Sequence, residues 1–158
     1  MPIYMKFDGI DGNVTAKGHE KWIEVNSVQW GVGRGIGSPV GRDSNREASA
    51  PSISEVTTTK STDETSPLFF QEACVGEGKK VQFHFVRTSA SQLETYLEIT
   101  LSNTLVSGYS TSSGGDLPTE SLSFNFTKIE IKYTPFDKTH KAGKPVPAGY
   151  DMSTAVKV

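Results

Sequence analysis

A single cysteine, Cys74, stands among the 158 residues, so no disulfide can close within the chain. No apolar run approaches the roughly 20 residues of a membrane-spanning helix, which excludes membrane insertion by that route. The N-terminus, MPIYMKFDG, alternates apolar and polar residues and lacks the apolar core of a cleaved signal peptide. Folding in a cytoplasm is therefore expected, with any export using a route that reads no such signal. Charge of one sign is also missing. With 16 basic and 18 acidic residues the net charge is −2, which leaves no basic footprint for nucleic acid and no polybasic patch for a membrane surface.

Chemistry-bearing constellations are equally scarce. His19, His84 and His140 each stand alone, without a second His or a Cys at metal-ligand spacing. His19 and His140 read as surface residues, His84 as one residue of a strand face, and Cys74 as a small buried hydrophobe on a helix. Gly31, Gly33, Gly35 and Gly37 imitate a phosphate loop, but the spacing is not GxGxxG, no GK[ST] follows, and no helix begins there. Glu94 and Glu98 form no pair that stands out from other surface carboxylates. Asn13-Val14-Thr15 and Asn125-Phe126-Thr127 match glycosylation sequons, which carry no meaning without a secretory signal. The expectation is a protein that is not an enzyme and holds no metal or cofactor.

Strand pattern dominates what is present. Ile3 to Asp8 alternates apolar and polar, as a half-buried strand does. In the segment His19 to Gly31, Ile23 and Val25 share one face and Val28 and Trp30 the other. A bulge near Asn26-Ser27 puts all four on the core side and turns Ser27 and Gln29 away from it. Ile53 to Lys60 is a Thr- and Val-rich strand. One helix follows, over about residues 66–76, with Ser66 as N-cap, Pro67 in the first turn and Gly76 or Gly78 as its end. Lys79 to Thr88 and Leu93 to Ser107 are strands, SSGGD (Ser112 to Asp116) is a turn, and Ser121 to Thr134 is the longest strand, bent by a bulge at Thr127-Lys128. Phe136 to Gly149 reads as loop and Tyr150 to Val158 as a short last strand. About seven strands, several long and bent, give a mainly β fold: an antiparallel β-barrel with one flanking α-helix in a single domain over residues 1–158.

Two features remain. Thr57, Thr59, Thr100, Ser102, Thr104, Ser121, Ser123 and Asn125 form rows of hydroxyl and amide groups: either an ordinary solvated face or the lining of a wet channel shared between subunits. The stretch Gly31 to Ser52 has no hydrophobic period, and so long a loop in a compact domain is functional or disordered. Either it is disordered in the monomer, or it reaches a second copy of the chain.

In order and spacing the residues resemble the haemolysin-coregulated protein (Hcp) family, the inner-tube proteins of bacterial type VI secretion. The likeness rests on IYMKFDGIDG, WIEVNSVQWGVGRG, KSTDETSPLFFQEACVG, YLEITLSNTLVSGYSTSSGGD, ESLSFNFTKIEIKYTP and GKPVPAGYDM. It implies homohexameric rings that stack into a hollow tube, a spike protein of the VgrG type and a contractile sheath as partners, small effector proteins carried in the lumen, and delivery to the extracellular space or a target cell. It also implies that Ser27 and Gln29 face the lumen, Gln29 being the position that touches cargo. The loop packing on a neighbour then offers Arg34, Arg42, Asp43, Arg46 and Glu47 as charged contacts. A tail-tube protein of a phage-derived contractile system is the nearest rival, and a small-ligand-binding β-barrel a second.

Overall fold

The computed structural model describes residues 1–37, 40–41 and 48–158. Among them are twelve strands and one helix: β1 (Ile3–Phe7), β2 (Ile23–Val25), β3 (Ser27–Gln29), β4 (Val32–Gly33), β5 (Ser52–Ile53), β6 (Val56–Ser61), α1 (Ser66–Val75), β7 (Lys79–Thr88), β8 (Leu93–Ser112), β9 (Thr119–Asn125), β10 (Lys128–Tyr133), β11 (Val146–Asp151) and β12 (Val156–Lys157). Their pairings are antiparallel.

Three bends shape the molecule, and two of them follow from the phase changes in the sequence. At Asn26 the chain leaves β1, where Val25 pairs with Ile3, and joins β6, where Ser27 pairs with Thr59. The Asn26 N–H donates to the Thr59 carbonyl at 2.7 Å, so the ladder is not broken. Ile23 and Val25 are buried, Val28 and Trp30 pack against the core, and Ser27 and Gln29 are exposed. The second bend lies at Phe126-Thr127, between β9, which pairs with β6 and β8, and β10, which pairs with β8 and β11. The third is inside β8. Asn103 takes φ 51°, a left-handed conformation that asparagine tolerates better than most residues. Before it β8 pairs with β7 and β10; beyond it Thr104 still pairs with Lys79 of β7, and from Leu105 onward β8 pairs with β9. Stepping from β8 through β7, β1, β2–β3, β6 and β9 leads back to β8, a bent barrel closed by strands that change partners. β10, β11 and β12 continue the sheet outward from β8.

Fully buried Met5, Phe7, Ile23, Val56, Phe69, Val81, Phe83, Leu101, Leu122 and Phe124 fill the interior. Each large apolar side chain removed from water this way stabilises by about 1.5–3 kcal/mol. Phe69 of α1 meets Phe7 edge-on, with ring centroids 5.4 Å apart, so the helix plugs the core with one ring.

Four expectations need correction. The helix N-cap is Thr65, not Ser66, because the Ser66 hydroxyl is committed elsewhere: it donates to Glu120 Oε1 at 2.6 Å and accepts from the Asp63 N–H at 3.0 Å. Cys74 is exposed. It lies five residues after Phe69, about 140° around the helix from the one side chain that faces the core. The longest strand is β8, with 20 residues; the segment from Ser121 onward is divided between β9 and β10. β11 begins at Val146, inside the expected loop. Pro147 hides it in the sequence, but β12 covers β11 only at Tyr150 and Asp151, so Pro147 sits on a sheet edge where a missing donor costs little.

Candidate functional site: a hydroxyl-lined sheet face and the neck of a loop

The bend at Asn26 creates a four-stranded outward face from β3, β6, β9 and the second half of β8. Side chains alternate along a strand, so the residues between the core positions all point one way. Register then lines them up in transverse rows. Ser27 pairs with Thr59, Thr59 with Ser121, and Ser121 with Ser110. One step along, Gln29 pairs with Thr57, Thr57 with Ser123, and Ser123 with Gly108. Ser61, Thr119 and Ser112 make a third row. None of these positions carries a charge. The Ser27 and Thr59 hydroxyls bond each other at 2.6 Å, and the inward Thr58 hydroxyl donates to the Ser27 carbonyl at 2.6 Å, which fixes the strand carrying Ser27 and Gln29.

At one end of the face lies a depression of about 430 Å³ lined by Gln29, Trp30, Gly31, Ser54, Glu55 and Thr57. Glu55 is held there by the Ser107 hydroxyl at 2.6 Å and the Asn125 amide at 3.4 Å. The structure thus brings Ser27, Gln29, Thr57, Thr59, Ser121 and Ser123 onto one face. It does not bring Thr100, Ser102 or Thr104 there. Thr100 and Ser102 precede the Asn103 bend and pair with Glu130 and Lys128, and Thr104 is buried.

The long loop leaves beside this face as a ribbon. β4 pairs with β5, the Ser49 N–H donates to the Gly35 carbonyl at 2.8 Å, and the Gly35 N–H donates to the Ser49 hydroxyl at 2.9 Å. Arg34 is exposed on the neck. Val32, Ile36 and Val40 are exposed apolar side chains, Val40 fully so. Arg42, Asp43, Arg46 and Glu47 lie outside the described residues.

Sequence reasoning missed two polar groupings. Lys60 and Glu120, both fully buried, pair at 2.7 Å inside the barrel end under α1. Lys60 also reaches Asp63 at 2.9 Å, and the Tyr109 hydroxyl donates to Glu120. Burial alone would raise the Asp63 pKa, but hydrogen bonds from Lys60 and Thr65 hold it below the usual carboxylate range. Burial, then the Glu120 carboxylate, pushes the Tyr109 phenol up. Strict alternation signals the pair, since Lys60 is in phase with Val56 and Thr58, and Glu120 with Leu122 and Phe124. The second grouping is His19 with His84, 2.9 Å apart. His19 is only 6% exposed, against its expected place on the surface. No sequence spacing announces a contact between residues 65 apart.

Among the described residues no group of three or more His, Cys, Asp or Glu side chains gathers as a metal site, and no helix is long and apolar enough to cross a membrane. Residues 4–133 match the family model for the type VI secretion system effector Hcp. The chain belongs to the Hcp family. Its fold is similar to a solved structure of a type six secretion system protein, with a TM-score of 0.91 and 26% identity over 99% of both chains. Hcp1 from Salmonella typhimurium matches with a TM-score of 0.78 and 23% identity over 99% of this chain and 98% of that one. A type VI secretion system effector from Yersinia pestis gives 0.74 and 22%, over 94% and 98%. Comparison with curated protein sequences gives no match. Hcp proteins are structural, secreted proteins of type VI secretion, and the bent barrel with its single short helix is the fold of this family.

Proposed function

We propose that this Hcp protein forms hexameric rings that stack into the inner tube of a type VI secretion system. The hydroxyl-rich face of β3, β6, β9 and β8 lines the bore. The observation that carries this reading is a polar face, with three uncharged rows and the Glu55 carboxylate at one end, on the outside of a barrel whose interior is already filled by its own aromatic side chains. That filled interior also leaves no room for the ligand of a small-molecule-binding barrel. The rows of small hydroxyls wet the bore, with the Glu55 carboxylate beside them. Ser27 and Gln29 meet the cargo, with Gln29 at the edge of the Glu55 depression. Small effectors ride inside and gain stability by mass action, because the ring binds only their folded form.

The loop, with Arg34 at its neck and Arg42, Asp43, Arg46 and Glu47 later in its sequence, contacts the adjacent ring. Its exposed Val32, Ile36 and Val40 are then covered by that neighbour. Ring contacts are heterologous and close by rotation, whereas ring-on-ring contacts are open-ended. The tube is made in the cytoplasm and exported with a VgrG-type spike when a sheath contracts. Native mass spectrometry of the purified chain, with negative-stain microscopy of the same sample, tests the proposal. The expected result is a six-fold multiple of the subunit mass and annular particles with a central hole. A mass of one or two subunits at high concentration refutes it.

A further inference from the structure

Residues 12–22, between β1 and β2, fold over the side of the sheet facing away from the core. The segment is tied to itself by backbone bonds: Gly12 N–H to the Lys21 carbonyl at 2.8 Å, Val14 N–H to Trp22 at 3.1 Å, and Lys21 N–H to Val14 at 2.8 Å. A side chain at Gly12 would strike the Trp22 carbonyl, so the tight return requires glycine. Beneath the segment runs a transverse row set by strand register: Glu24 opposite Tyr4, Tyr4 opposite His84, His84 opposite Glu98, and Glu98 opposite Lys132. His19 and Trp22 come down onto this row. The His19 ring lies 5.0 Å from Tyr4 and 5.1 Å from His84, and Trp22 lies 4.4 Å from His84.

The side chains of the row stand in a line of close polar contacts. Lys132 Nζ meets Glu98 Oε2 at 2.8 Å, and Glu98 Oε1 lies 3.2 Å from His84 Nε2. Glu98 Oε1 and His84 Nε2 are within ion-pair distance but not aligned as a hydrogen bond, and Nε2 is buried without a partner. With the His84 proton on Nε2, beside the carboxylate, Nδ1 accepts from His19 Nε2–H at 2.9 Å. His19 Nδ1 is then a bare nitrogen, buried with no partner. A first added proton goes to that atom, where the Lys17 carbonyl is the available acceptor, and the line survives it. A second must go to His84 Nδ1. Two N–H groups then point at each other across 2.9 Å, and the bond between segment and sheet becomes a repulsion.

We propose that His19 and His84 form an acid-released latch, which holds residues 12–22 on the barrel when His84 is neutral and frees them, with the barrel intact, when both rings are protonated. The other side-chain ties of this region are exposed: Asn13 to Glu64 at 3.4 Å and Lys21 to Asp11 at 3.9 Å. Such contacts are worth little. Burial pulls His84 down to about 4; Glu98 opposes the shift, and His19 and Lys132 reinforce it. Burial also lowers His19, against the pull of Glu20, the Lys17 carbonyl and Glu98. Glu24 and Tyr4 complete the titratable groups of the row, and Tyr4 is itself shifted upward by burial. Both histidines thus bind protons more weakly in the folded chain than in the unfolded one. The latch therefore contributes its full stability above the ordinary histidine value of about 6.5 and loses it as the pH falls towards 4.

Trp22 fluorescence in a Trp30→Phe background, followed from pH 8 to pH 4 beside far-ultraviolet circular dichroism, reads the latch directly. Emission should change between pH 6.5 and 4 while the strand signal holds, and amide protection over residues 12–22, corrected for intrinsic exchange, should fall about tenfold or more. The variant H84Q, which cannot titrate, should show neither change; H19Q serves in its place if H84Q does not fold. A flat Trp22 signal, an unaltered transition in the variant, or a transition coincident with loss of the strand signal would overturn the latch. None of these readouts depends on ring formation.

Discussion

Replacing Lys60 with alanine is expected to cost about 3–5 kcal/mol of folding stability, the largest loss of any single polar substitution in this chain. The side chain is fully buried, and its ammonium meets Glu120 at 2.7 Å, Asp63 at 2.9 Å, the Ser61 carbonyl at 3.1 Å and the Ser66 hydroxyl at 3.4 Å. Removing it strands the Glu120 carboxylate in the barrel end without a counter-charge. Taking one partner from a buried pair costs far more than the pair is worth, because the remaining charge keeps its desolvation penalty. The double change Lys60→Met with Glu120→Leu should therefore recover most of the loss. It leaves Asp63, Ser66 and Tyr109 to find water or each other, so recovery stays incomplete. Urea unfolding of the single and double variants measures both effects. A loss below about 1 kcal/mol for Lys60→Ala would show that water reaches the pair.

Deleting Gly35–Ala50 should leave rings intact and abolish their stacking into tubes. The cut is tolerable because β4 and β5 hold the neck below it. Gly33 stays paired with Ser52, and only Arg34 and Pro51 remain to turn between them. Two residues are enough to close a hairpin. What disappears is the exposed apolar pair Ile36 and Val40 together with the charged stretch that follows. Stacked tubes in electron micrographs of the deleted protein would assign stacking to another surface.

Much of this architecture was legible in the residues because bends leave phase changes behind. Ile23 and Val25 against Val28 and Trp30 announced the turn at Asn26. Phe124 and Phe126 against Ile129 and Ile131 announced the turn between β9 and β10. Ser27 and Gln29 fell on the outward side by the same alternation. The bend in β8 was hidden because Asn103 absorbs it in one left-handed residue, which sent Thr100 and Ser102 to a different part of the sheet from Ser121 and Ser123. The burial of Lys60 went unread, although its position in the alternation, in phase with Val56 and Thr58, signals it. The contact of His19 with His84 is purely tertiary, made by folding residues 12–22 back over the sheet, and local pattern carries no trace of it. Function was legible chiefly through resemblance, because no residue spacing in the sequence announces a chemistry.

The location of the hydroxyl face in the assembled particle decides the account. A Ser123→Cys substitution in a Cys74→Ser background offers one reactive thiol per subunit, at the centre of that face and free of competition from the exposed native cysteine. Rings labelled there with a small gold cluster and viewed end-on should carry density inside the central hole. Gold on the outer rim would contradict the account.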